Sequence, residues 1–65
     1  MTKEEFRKKI KHLIDNKFLT KDQLSEMLDV SKTTVERWYT GANAPHPAMR
    51  DYIDKAIKEL LGDKL

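Results

Sequence analysis

Apolar residues recur along this chain at helical rather than alternating spacing. Phe6, Ile10, Leu13 and Ile14 stand at i, i+4, i+7 and i+8, on one stripe of a helix. Thr2 followed by Glu5 forms a capping box ahead of that stripe, a hydroxyl and a carboxylate each satisfying one orphan N–H. Asn16 is the expected stop, because asparagine tolerates the left-handed conformation that ends many helices. The device returns with Thr20 and Gln23, immediately before Leu24, Met27 and Leu28. This second helix runs barely two turns before Ser31 offers a third N-cap, ahead of Val35, Trp38 and Tyr39, with Gly41 placed as the C-terminal cap. Both prolines fall in "APHP" at 44 to 47, the one strong break. Pro47 suits the first position of a fourth helix whose buried stripe would be Met49, Ile53, Ala56, Ile57 and Leu60, ended by Gly62. No hairpin dipeptide or alternating run signals a strand. The expectation is one all-α domain over residues 1–65, with helices at about 3–16, 21–28, 32–40 and 47–61.

Length changes the picture first. At 65 residues the chain buries only about 60% of the surface its unfolded form exposes, so its core is small. It has no cysteine, hence neither disulfides nor thiolate zinc sites, and must stand on packing or association. Nothing approaches the ~20 apolar residues of a membrane helix, and "MTKEEFRKK" has no signal-peptide apolar region, so a cytoplasmic protein is expected. The net charge of +2 is a weak argument for a nucleic-acid partner. It is unevenly spread: residues 1 to 17 hold six Lys or Arg against three Asp or Glu, and residues 18 to 29 hold one against three. A basic first helix of this kind is more often a solvated face than a phosphate-binding one.

Helices of eight or nine residues separated by three residues make a tight corner, because so short a link cannot turn them antiparallel. Isolated helices of that length are marginal in water and need neighbours on both sides. Two short helices at such a corner form a helix-turn-helix, whose second helix can enter the DNA major groove. Residues 20 to 47, "TKDQLSEMLDVSKTTVERWYTGANAPHP", resemble the lambda-repressor-like (Xre-type) helix-turn-helix family, and with the flanking helices the likeness covers most of the chain. It rests on the polar cap before the second helix, inward Leu24 and Leu28, small Ser25, Val30 and Val35 about the turn, Trp38, and then Gly41 and Pro45. Asp29 stands where the family has glycine in the turn; at positive φ it is among the few tolerated alternatives. Tyr39 stands at an often acidic position, and Phe18 at a usually small one. Many family members carry a fifth helix, for which nothing after Gly62 is long enough. The resemblance implies a compact four-helix fold, four to five helices being the family's range, and double-stranded DNA as partner. It further implies a transcriptional regulator, a repressor of the kind found in phages and mobile elements, with homodimerisation open.

The third helix is expected to be two-faced. Val35, Trp38 and Tyr39 share a side at ~100° per residue and should pack inward, although Trp38 could stack on a base and the Tyr39 hydroxyl could reach solvent or a phosphate. Lys32, Thr33, Glu36 and Arg37 lie opposite, with chemistry suited to base edges. Arg37 can donate two hydrogen bonds to guanine, Lys32 one charge, Thr33 can meet a thymine methyl, and Glu36 can accept from cytosine. A carboxylate repels phosphate, so Glu36 fits base readout, orientation of Arg37, or plain solvation. Thr20 and Lys21 at the start of the second helix are, by the resemblance, backbone contacts, and Thr34 and Thr40 can add hydroxyls. By the resemblance, Asn43 approaches the DNA backbone or an extra base, while a loop asparagine is as often only a turn former.

Enzymatic chemistry finds no foothold. His12 and His46 are far apart, no H-E-x-x-H or glycine-rich phosphate loop occurs, and a water-excluding pocket is hard to build at this size. No catalytic residue, metal ligand, cofactor or small-molecule substrate is expected; His46 reads as a cap of the fourth helix or a loop residue, and Asp51 and Asp54 as a solvated edge. The competing reading is a protein-interaction module, an antitoxin or adaptor, working through apolar Tyr52, Leu61 and Leu65, which could equally serve a homodimer.

Overall fold

The N-terminal caps set the architecture. In a computed structural model of the chain, which describes residues 1–62, Thr2 and Thr20 each complete a reciprocal capping box, with Glu5 and Gln23 respectively. Ser31 caps the next helix through Thr34 N–H at 3.1 Å. His46 caps the last, its Nδ1 accepting from Ala48 N–H at 3.2 Å, as the sequence suggested. The four helices are α1 Lys3–Asp15, α2 Lys21–Leu28, α3 Lys32–Thr40 and α4 Pro47–Leu61. All regular structure among the described residues is helical, and no helix there is long and apolar enough to cross a membrane.

The C-terminal ends differ from the expectation in one respect. Asn16 is not left-handed (φ −92°); Lys17 is, at φ 60°. The reason is the bonding of the turn: Phe18 N–H reaches back to Leu13 C=O at 2.9 Å and Lys17 N–H to Ile14 C=O at 3.1 Å. That six-to-one and five-to-two pair is a Schellman motif, and it requires the residue before the returning hydrophobe to be left-handed. Here the hydrophobe is Phe18, so the strain falls on Lys17. At the next corner Val30 N–H bonds Ser25 C=O at 3.0 Å and Asp29 N–H bonds Glu26 C=O at 3.3 Å, the same motif, with Asp29 at φ 55°. The turn residue that stands in place of glycine does adopt positive φ.

Phe6, Ile10, Leu13, Leu19, Leu24, Val35, Trp38, Ile53 and Ile57 form the core, drawn from every helix and from the segment between α1 and α2. Phe6 and Trp38 meet edge to face with centroids 5.4 Å apart, a geometry that adds about 0.5–1.5 kcal/mol beyond area burial. Ser25 is buried where a small side chain is needed, and its hydroxyl is satisfied by Asp22 C=O at 2.7 Å.

The buried face of α4 is not the expected one. Met49 is 47% exposed and Leu60 57% exposed, while Arg50 is only 6% exposed. Arg50, Ile53, Asp54, Ile57 and Leu61 turn inward, a stripe rotated by roughly 70° from the apolar one at ~100° per residue. Polar anchors cause the rotation. Arg50 donates from Nε to Met1 C=O and from Nη1 to Pro45 C=O, both at 3.1 Å. Asp54 lies 2.6 Å from Lys9 Nζ and 3.1 Å from Lys58 Nζ, its side chain 15% exposed. Asp51 remains the solvated group expected, 3.1 Å from the Met1 amine, but Asp54 is a largely enclosed partner of α1. Leu65, expected in an apolar patch, lies outside the described residues.

Candidate nucleic-acid interface

α3 is the element on which the expected site converges. Val35 is fully buried and Trp38 4% exposed, so the tryptophan is a core residue and unavailable for base stacking. Thr33, Glu36 and Arg37 are exposed on the other side. Among the described residues none of their side chains enters an ion pair or a hydrogen bond. Glu36 and Arg37 are neighbours in sequence, about 100° apart around the helix, and no ion pair joins them among the described residues. Arg37 instead serves the helix end through its carbonyl, which accepts from Gly41 N–H at 3.0 Å, Asn43 N–H at 3.3 Å and Thr40 Oγ1 at 3.2 Å. Its guanidinium is left to solvent.

Lys32 sits apart from this group. It lies 3.4 Å from Asp22 in the first turn of α2, an exposed pair worth at most about 1 kcal/mol. Lys17, Thr20, Lys21, Asp22 and Lys32 border one shallow concavity floored by Ile14 and Leu19. Lys32 thus shares this concavity with Thr20 and Lys21, the two residues expected to meet phosphates. Thr20 uses its hydroxyl oxygen to accept from Gln23 N–H at 3.0 Å, which leaves the hydroxyl proton free to donate outward.

The remaining hydroxyls are less available. Thr34 is half-buried and shares a 2.8 Å hydrogen bond with Ser31, and Thr40 is bonded to the Arg37 carbonyl. Both are engaged in capping. Asn43 accepts from Ala44 N–H at 2.8 Å through Oδ1, as a turn former does, and among the described residues its amide nitrogen makes no hydrogen bond.

Tyr39 is fixed rather than free. Its hydroxyl donates to Asp15 Oδ1 at 2.6 Å and accepts from Lys11 Nζ at 3.3 Å, and Lys11 and Lys21 lie 4.7 and 4.9 Å from its ring centroid. The hydroxyl of Tyr39 and then the ammonium of Lys11 hold the Asp15 carboxyl below its ordinary value, and Asp15 with Tyr39 raises Lys11. This cluster ties α3 to the end of α1 and sets Lys21 against the α3 ring. The tyrosine at a position expected to be acidic thus recruits a carboxylate from another helix.

Arg7 is the residue that spacing could not reveal. It lies across Gly41, where an added Cβ would stand 2.8 Å from its Cδ and 2.9 Å from its Nε. Glycine at 41 is required both by φ 84° and by this approach. Lys3, Arg7 and Asn43 then border a concavity beside the loop after α3, and Arg7 Nε is buried without a hydrogen-bond partner. The contact is tertiary, so no local motif announces it.

No set of three or more histidine, cysteine, aspartate or glutamate side chains able to hold a metal ion occurs among the described residues. No family model matches the chain, and no curated protein or solved structure matches it.

Proposed function

We propose that the chain is a non-enzymatic, sequence-specific double-stranded DNA-binding protein acting as a small transcriptional regulator, a repressor by its resemblance to lambda-repressor-like proteins. α3 would lie in the major groove with Thr33, Glu36 and Arg37 toward base edges. Thr20, Lys21 and Lys32 would hold the sugar-phosphate backbone on one side, and Asn43 with Arg7 on the other. One observation carries this reading: a helix whose inner side is locked by Val35 and Trp38 presents an outer side of hydrogen-bonding groups that have no partner among the described residues. Arg37 at a guanine supplies about 1–3 kcal/mol of discrimination in such an arrangement, whereas lysine–phosphate contacts supply affinity without sequence preference.

Selection of bound duplexes from a random pool at a fixed salt concentration tests it. An enriched motif is the expected result. A pool that stays random while still binding would reduce the protein to a nonspecific cation. A pool with no bound fraction would favour the interaction-module reading, in which exposed apolar residues of α4 do the work.

A further inference from the structure

The three large hydrophobic side chains left exposed among the described residues, Met49, Tyr52 and Leu60, all belong to α4. With Ala56 they fall within an arc of roughly 80° at ~100° per residue, turned away from the core, and at its end Leu60 borders a shallow concavity with Leu19 and with Gln23, Glu26 and Met27 of α2. Clusters of this kind on a small protein mark contact surfaces more often than scattered exposed apolar residues do. Tyr52 is 64% exposed and lies outside the core. Tyr52, Lys55, Ala56 and Glu59 also border a shallow depression in this face.

The charges beside the stripe say what covers it. Lys55 and Glu59 are exposed on the same flank, and among the described residues neither is in an ion pair. The other charged groups of α4 are already engaged: Asp51 with the Met1 amine, Asp54 with Lys9 and Lys58, and Arg50 with two carbonyls. Two copies of the helix laid antiparallel about a two-fold axis keep like flanks together and reverse their order. A centre at Ala56 sets Tyr52 on Leu60 of the other copy and lets the small Ala56 pair form the crossing point. It also places Lys55 about 3 Å along the axis from the partner copy's Glu59, at ~1.5 Å per residue, twice by symmetry. A parallel pairing would set this flank of each copy against the opposite flank of the other, leaving Lys55 and Glu59 of the two copies on different sides of the contact. The surface is complementary to itself in one orientation only.

We propose that this face of α4 docks on the same face of a second copy, with the helices antiparallel and crossing near Ala56. The contact stands whether or not the chain binds DNA, since it is formed by the free protein. Its length, about 17 Å from Met49 to Leu60 at ~1.5 Å per residue, falls short of what a standard interface of ~1,200–2,000 Å² uses. The dimer is accordingly weak, with a dissociation constant on the order of 10–1,000 µM.

Sedimentation equilibrium of the full chain up to about 1 mM, in the absence of DNA, tests the association. Tyr52→Glu should weaken it at least about tenfold, as loss of a central aromatic does, with no change in helicity or melting temperature. Lys55→Glu and Glu59→Lys should each weaken it roughly three- to tenfold by setting like charges opposite, and the double exchange Lys55→Glu/Glu59→Lys should restore it. Because the chain has no cysteine, Ala56→Cys should oxidise to a disulfide-linked dimer while Lys58→Cys, on another side of α4, should not. A chain that is monomeric throughout the concentration range overturns the proposal. A dimer indifferent to Tyr52→Glu, or one in which the double exchange is no better than the single ones, does so as well.

Discussion

α3 and α4 are both amphipathic, both have their inner sides locked into the same core, and yet their outer sides are opposite in kind. α3 turns out Thr33, Glu36 and Arg37, side chains rich in donors and acceptors; α4 turns out Met49, Tyr52 and Leu60. The difference lies in what fixes each helix about its own axis. Val35 and Trp38 orient α3 by apolar burial, with the Tyr39 hydroxyl tied to Asp15 at its margin, so its remaining polar residues are left outside as the pattern requires. α4 is oriented by Arg50 and Asp54, which reach the Met1 and Pro45 carbonyls and Lys9, and its apolar residues are displaced outward as a consequence. The outer face of a helix is therefore a record of what its inner face had to satisfy.

The largest break in this comparison comes from its shared core. Trp38→Ala removes the edge-to-face partner of Phe6 and should cost about 3–5 kcal/mol of unfolding free energy by chemical denaturation. In a chain this small that abolishes both surfaces together. A loss below about 1 kcal/mol would mean that the tryptophan is not a core residue and that α3 is oriented by something else.

Arg37→Ala separates the two helices. It should leave stability within about 0.5 kcal/mol and reduce affinity for the selected duplex by about 1–3 kcal/mol, blurring preference at one base pair. Lys21→Ala should instead weaken all duplexes alike and lower the salt slope by about one. Competition binding against random DNA distinguishes them, and equal effects of both substitutions on selected and random DNA would argue against readout by α3.

Asp29→Gly sharpens the corner that aims α3. A non-glycine residue in the left-handed region costs roughly 1–2 kcal/mol, and the glycine entropy penalty of about 0.5–1 kcal/mol takes back part of the relief. A net gain of about 0.5–1 kcal/mol in thermal or denaturant unfolding is expected; a loss would show that the aspartate contributes a contact that outweighs its strain.

The smallest effect is in acid, and it addresses the anchor of α4. Burial pushes the Asp54 carboxyl up, but hydrogen bonds from Lys9 and then Lys58 outweigh it and leave the group below its ordinary value. A depressed carboxyl stabilises the fold above its unfolded value, near pH ~4, and that contribution disappears as pH falls through the folded value. Melting temperature should therefore decline as pH is lowered through this range, and less steeply in Asp54→Asn. An identical slope in the variant would remove Asp54 from the account.

Most of the helical frame could be read from residues alone, because it is written in short-range chemistry. Thr2 with Glu5 and Thr20 with Gln23 lie within one turn of each other, and Ser31, Gly41 and Pro47 act where they stand. The exposed face of α3 was legible for the same reason, since Val35 and Trp38 are the apolar side of a nine-residue helix. What was not legible depends on distant partners. Arg50 is buried where the remote Met1 carbonyl joins that of nearby Pro45, and Arg7 covers Gly41 across α1 and the loop after α3, whereas the Lys17 strain is local, set by Phe18 returning to Leu13. Helix position alone places Lys32 beside Thr33 and Glu36, and its ion pair with Asp22 of α2 is a tertiary contact that position does not disclose.

Titration of the isotopically labelled chain with its selected duplex, followed by amide chemical shifts residue by residue, puts the two outer faces in direct competition. The largest changes should fall at Thr33, Glu36 and Arg37, with smaller ones at Thr20, Lys21 and Asn43, and the same α3 positions should respond far less to a random duplex. Changes confined to Met49, Tyr52 and Leu60, or equal for the two duplexes at every position, would contradict the claim that α3 reads DNA sequence.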